Sequence, residues 1–144
     1  MMLKGVPPVL SPDLMATLMR MGHGDEIVLA DANFPAASCG RKVIRADGHG
    51  SLIMLDAILQ FLPLDTFTDE IACVMQPVCS TETEPDIWTK FHRLLECHED
   101  RPVALTRIER FEFYDRTRNA FAIVATGESA LYANLVLKKG VIQP

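Results

Sequence analysis

Basic residues are scarce relative to acid: fourteen lysines and arginines stand against nineteen aspartates and glutamates, a formal charge of −5. A surface of that sign repels a phosphate backbone, and no basic block or basic amphipathic stripe interrupts it, so neither nucleic acid nor a membrane surface is expected as a partner. No apolar run approaches the roughly 20 residues that a membrane span requires. The stretch from Met1 to Pro8 contains two prolines and lacks the basic-then-apolar order of a secretion signal, which makes the cytoplasm the expected address. The four cysteines, Cys39, Cys73, Cys79 and Cys97, form no Cys-x-x-Cys pair. They are read as reduced thiols filling small apolar gaps, since a zinc site needs a tighter grouping of ligands. The Gly-x-Gly-x-x-Gly fingerprint, the phosphate-binding loop, His-Glu-x-x-His and the Gly-x-Ser-x-Gly elbow are all missing. Dinucleotide, nucleoside-triphosphate and standard hydrolase chemistry lose their usual support with them.

What is present is an ordinary globular balance, 49% hydrophobic and 23% charged over 144 residues. That length suits one domain spanning residues 1–144, with a core that needs no disulfide or metal. Ser11-Pro12-Asp13 reads as a helix start, followed by a core-facing stripe of Leu14, Met15, Leu18 and Met19 and a stop at Gly22. Ile27 to Ala30 reads as a buried strand ending in the turn Asp31-Ala32-Asn33-Phe34-Pro35. Lys42 to Arg45 is a second short strand. Ser51 is expected to cap a helix carrying Leu52, Leu55, Leu59 and Leu62, with Pro63 ending it. A third strand runs from Ile71 to Met75, a loop from Pro77 to Pro85, and a helix from Asp86 to His98 with Ile87, Phe91, Leu94 and Leu95 inward. Val103 to Arg118 fits either periodicity and is read as a helix. The last strands are Ala120 to Thr126 and Asn134 to Leu137. Helices interleaved with short apolar strands indicate a three-layer α/β sandwich.

The polar residues of interest sit where elements end. His23 lies just past a helix terminus between Gly22 and Gly24, where the negative helix end and the neighbouring Asp25 and Glu26 favour its imidazolium form. A histidine that titrates near neutrality suits general-acid work, while a capping role accounts for the same placement. Asp31 follows a buried strand, where ligand sites of α/β sheets lie, and an Asx-turn role is equally open to it. Arg45 and Asp47 read as an ion pair or turn. In Glu109-Arg110-Phe111-Glu112-Phe113-Tyr114-Asp115-Arg116, aromatics alternate with charges of both signs, a pattern that serves either a sugar face or an amphipathic helix. Trp88 reads as packing. Tyr132-Ala133-Asn134 offers a hydroxyl and an amide at a strand start, or simply turn chemistry.

In combination these segments resemble a known family. Leu3-Lys4-Gly5-Val6-Pro7, the run MGHGDEIVLADANFP from Met21 to Pro35, RADG at Arg45 to Gly48, ERFEFYDR at Glu109 to Arg116, and ATGESALYANLVLKKGV from Ala125 to Val141 are similar to the L-fucose mutarotases and their D-ribopyranase relatives. The ERFEFYDR segment looks like the fucose branch. His49, after RADG, and the acidic loop Ser80 to Glu84 depart from the pattern. The resemblance implies an enzyme without cofactor or metal that interconverts the α and β anomers of a free monosaccharide. It also implies a ring-based homo-oligomer, a decamer of two stacked pentamers, with sites near subunit interfaces. By motif match, His23 is implied as the proton donor and Asp31, Arg110, Tyr132, Ala133 and Asn134 as the sugar-binding groups. Two alternatives stand beside it: a sugar-binding accessory module without turnover, and a metal-dependent isomerase or lyase using His23, Asp31 and His49. D-Ribose is the alternative sugar.

Overall fold

The computed structural model describes residues 2–79 and 83–144, so Ser80, Thr81 and Glu82 of the expected acidic loop lie outside the described residues. The chain runs α1 (Pro12–Arg20), β1 (Glu26–Ala30), α2 (Ala36–Cys39), β2 (Val43–Ala46), α3 (Ser51–Leu59), β3 (Ala72–Met75), α4 (Asp86–Glu99), β4 (Thr106–Ile108), α5 (Arg110–Asn119), β5 (Ala122–Thr126) and β6 (Leu135–Lys138). The strands form one mixed sheet in the order β2-β5-β1-β6-β3-β4. β6 is antiparallel to both of its neighbours, β1 and β3, and the remaining pairs are parallel.

Nearly every residue of the central strands is buried, because both faces of the sheet are covered. Alternate residues divide between two cores. Ile27 and Leu29 of β1 join Leu14 of α1, Leu55 of α3 and Phe91 of α4 on one face. Val28 and Ala30 join Cys39 of α2 and Phe113 of α5 on the other. This is the expected three-layer arrangement.

Ser11 caps α1, its hydroxyl accepting a hydrogen bond from Leu14 N at 3.1 Å. Four expectations need correction. Met19 points to solvent, and Thr17 takes its inward place with its hydroxyl bonded to the carbonyl of Asp13. Gly50, not Ser51, is the N-cap of α3; Ser51 is its first helical residue, held by the carboxylate of Glu128 through its backbone N–H and its hydroxyl. Val103 to Arg118 is not one helix. Thr106 to Ile108 pair in parallel with Cys73 to Met75, and Glu109 then caps α5 by accepting from the N–H groups of Phe111 and Glu112. Finally, Cys39 and Cys73 are buried thiols as read, but Cys79 and Cys97 are exposed.

Two glycine contacts bear on the site. Gly24 adopts φ +85° in the turn leading into β1, and its N–H bonds the carbonyl of Lys139. A Cβ on Gly140 would meet the carbonyl oxygen of Leu64 at 2.5 Å. Only glycine at that position lets the Leu64-Asp65 segment lie against the end of β6, where Asp65 N–H bonds the carbonyl of Lys138 at 3.0 Å.

Candidate functional site

Parallel β1 and β3 end at the same edge of the sheet, where antiparallel β6 begins. Crevices at the carboxyl ends of strands are where open α/β sheets bind ligands. Here a cavity of about 270 Å³ opens, lined by Asp31, Asn33, Asn134 and Tyr132 on its polar side and by Phe34, Tyr114, Met75 and Leu131 among its apolar groups. Its volume suits one small polar ligand, close to the lower end of small-molecule sites.

Asp31 forms the floor. Its Oδ1 accepts from Asn33 N–H at 3.0 Å, which is the expected Asx turn, and its Oδ2 accepts from the Asn134 amide at 3.1 Å. Asn134 is fixed at both ends, since its Oδ1 accepts the Asp31 backbone N–H at 2.8 Å. Burial of Asp31 raises its pKa, and hydrogen bonds from Asn33, Asn134, Phe34 and Ala133 oppose that rise without cancelling it. The Asx-turn and ligand-site readings are therefore compatible. One carboxylate makes the turn and still lines the cavity.

Tyr132 forms a wall. Its backbone is left-handed, φ +56°, a conformation that costs a non-glycine residue roughly 1 kcal/mol or more and persists where its surroundings enforce it. Its hydroxyl accepts from Val78 N–H at 3.2 Å, and its carbonyl accepts from the Trp88 indole at 2.9 Å. Ala133 is fully buried with its methyl in the α1/α3/α4 core, so only its backbone is turned to Asp31. Phe34 stacks edge-on against Phe113 and Tyr114 at centroid distances of 5.7 and 5.6 Å, which makes the aromatic side of the cavity rigid. Trp88 is a packed residue, as read, but one with a polar contact to the cavity wall.

Arg110 stands apart from this group. It lines a neighbouring depression of about 220 Å³ with Glu109, Gln76, Pro77 and Val78, and its guanidinium lies 4.7 Å from the centre of the Phe111 ring. Val78 joins the two hollows through its bond to Tyr132.

His23 is not at this edge at all. It precedes β1 while Asp31 follows it, and five strand residues at about 3.3 Å each set the two on the order of 15 Å apart. The groups that meet its ring are also different from those expected. Asp25 accepts from Gly22 N–H at 2.7 Å and Glu26 pairs with Arg116, so neither supports the imidazole. The partner is Asp65, whose Oδ1 lies 2.9 Å from His23 Nε2, and the Phe67 ring centre is 5.1 Å from that of the imidazole. The His23 side chain is 44% exposed while that of Asp65 is 3% exposed. Burial acts to raise the Asp65 pKa, but hydrogen bonds from His23 and from the N–H groups of Phe67 and Thr66 outweigh it and hold the carboxyl below its ordinary value. With Nε2 engaged, Nδ1 is the ring nitrogen left for a ligand. Asp65 carried no sequence signal, because 42 residues and the pairing with β6 separate it from His23. Phe34, Met75 and Leu131 were also missed as cavity residues, although the positions after β1 and at the end of β3 follow from the rule for strand ends. Among the described residues, no group of three or more His, Cys, Asp or Glu side chains is placed to hold a metal ion, and no helix is long and apolar enough to cross a membrane.

The chain is similar to known proteins over nearly its whole length. The chain is 53% identical to the fucose mutarotase of Homo sapiens, with 97% of this chain and 94% of that protein aligned. It is 46% identical to the L-fucose mutarotase of Haemophilus influenzae, with 97% of each covered. The crystal structure of the fucose mutarotase in complex with L-fucose from Streptococcus pneumoniae superposes with a TM-score of 0.93 at 50% identity, covering 98% of this chain and 100% of that one. Residues 4–142 match the model of the RbsD / FucU transport protein family, and to that family this chain belongs.

Proposed function

We propose that this protein is an L-fucose mutarotase, an isomerase that interconverts the α and β anomers of the free sugar in a single domain spanning residues 1–144. The observation that carries the reading is the cradle at the end of β1, where Asp31 is held by Asn33 and Asn134 inside a cavity sized for one pyranose. In ring opening, the anomeric hydroxyl gives its proton to the Asp31 carboxylate while the bond from the anomeric carbon to the ring oxygen breaks. The ring oxygen takes a proton from His23, leaving an open aldehyde. Rotation about the first carbon–carbon bond and the reverse transfers close the other anomer. The buried, upward-shifted Asp31 is suited to accepting that proton. Tyr132, Asn134, Arg110 and the backbone at Ala133 hold sugar hydroxyls, and the Phe34–Tyr114 wall packs an apolar face of the ring.

Within one copy His23 cannot reach this cavity, so a second copy supplies it. Both edges have the surface for that contact. Phe67 is 66% exposed beside His23, and Leu131 and Phe111 are 65% and 60% exposed around the sugar cavity and Arg110. Joining one edge to the other is a head-to-tail contact, the kind that builds a ring when its rotation closes, and a decamer of two stacked pentamers is the assembly proposed. Buried thiols at Cys39 and Cys73 suit a reducing compartment, the cytoplasm.

The test is magnetisation exchange between the anomeric protons of L-fucose, with and without protein, run beside D-ribose and a chelator control. Faster exchange for fucose that survives the chelator is the expected result. Exchange unchanged for every sugar, with folded oligomer present, replaces this reading with that of a binding module.

A further inference from the structure

Trp88 is the single tryptophan of the chain and takes no part in the chemistry above. It lies in the first turn of α4, 1% exposed, and a buried indole needs an acceptor for its N–H. Any carbonyl of the core would serve that need. The one it meets, at 2.9 Å, belongs to Tyr132, the residue of the cavity wall with a left-handed backbone. Two residues further on, Asn134 is locked to Asp31 through both of its amide atoms. The segment from Tyr132 to Asn134 is thus pinned at one end by Trp88 and at the other by Asp31, and both of its polar side chains line the cavity. The far side of the indole is closed by the Arg107 guanidinium, 5.3 Å from the ring centre and paired with Glu84.

We infer that Trp88 is a positioning residue of the sugar site, holding Tyr132 and Asn134 in their binding geometry through the carbonyl of Tyr132. The inference rests on the fucose reading and assigns a role to a residue that lines no part of the cavity. Because the mechanism puts sugar binding on this segment and the proton donor elsewhere, losing the Trp88 bond weakens binding more than turnover.

Trp88→Phe keeps a buried aromatic ring and deletes the donor. It raises KM for L-fucose about fivefold, the weight of one ordinary hydrogen bond, and changes kcat less than twofold. A readout without substitution comes from the one indole N–H resonance of the native protein, which shifts on saturation with L-fucose as the segment it holds takes up the sugar. An unchanged KM in folded Trp88→Phe, or a static indole resonance in an enzyme that turns over L-fucose, overturns the inference. If native protein neither accelerates fucose exchange nor shows the indole shift, the fucose reading falls and takes this inference with it.

Discussion

At Asp31 burial and hydrogen bonding oppose one another, and burial prevails. Its folded pKa lies above the ordinary carboxylate value of 3.8, so folding disfavours its charged form. The stability this group contributes is therefore fully present below about pH 3.8 and is lost as pH rises through the raised folded value. An asparagine there carries no such dependence. Thermal midpoints of Asp31→Asn relative to the native protein should therefore shift in the variant's favour between pH 4 and pH 7, while fucose exchange in the variant stays low across the range. At His23 the geometry is the reverse: a half-exposed ring held against a buried carboxylate. His23→Gln, folded and assembled, should lose on the order of 10²–10⁴-fold in exchange rate, the usual contribution of one general acid. Anomer exchange by NMR decides it, and full activity would remove His23 from the mechanism.

At the scale of elements, the site depends on how neighbouring segments end one another. The N-terminus of α3 has no capping side chain of its own, because Gly50 occupies that position. Glu128, from the turn after β5, reaches across and accepts from Ser51 N–H, Ser51 hydroxyl and Ala130 N–H at 3.0–3.1 Å. Desolvation acts to raise the pKa of Glu128, but bonds from Ala130, Ser51 and Ser129 hold it below the ordinary value of 4.5. Its contribution is thus present above pH 4.5 and is lost as pH falls through the folded value. Glu128→Ala should cost about 1 kcal/mol in denaturant titrations at pH 7, as for loss of a helix cap, with the deficit shrinking toward pH 3. In the same turn the Glu128 carbonyl accepts from Ala32 N–H at 2.8 Å, directly beside Asp31, so a small loss of sugar affinity should accompany the loss of stability.

For the whole molecule, β1 holds Asp31 and His23 at opposite ends. On the proposed reading a single copy presents Asp31 to the sugar without its own His23, and the exposed Phe67 edge and Leu131 edge offer the means of joining copies. Mixing His23→Gln with Asp31→Asn subunits before assembly creates interfaces in which an intact histidine meets an intact aspartate. Random one-to-one assembly makes about a quarter of the interfaces of this kind, so roughly a quarter of native activity should return from two inactive parents. Recovery at the level of the parents alone would place each site within one copy. Light scattering of the same mixtures checks that assembly has taken place.

The local chemistry of this chain was readable one segment at a time. Ser11 with Pro12 fixes the start of α1, the apolar run Ile27 to Ala30 is a strand because nothing in it can face water, and Asp31 with Asn33 must turn the chain. Those preferences depend on residues a few positions apart, as did the string of motifs that carried the family resemblance. Where two periodicities compete, local sequence loses its authority. Thr106 to Ile108 become a strand because β3 offers an open edge, and Met19 turns outward while Thr17, its hydroxyl bonded to the Asp13 carbonyl, takes the buried face of α1. The pairing of His23 with Asp65, the double bond between Asn134 and Asp31, and the separation of Arg110 from the main cavity join residues far apart in the chain. Sequence alone determined most of the elements, their layers and most of the polar groups that line the cavity. Only the tertiary structure decided which of those groups meet, because strand register and the length of β1 set distances that no spacing along the chain encodes.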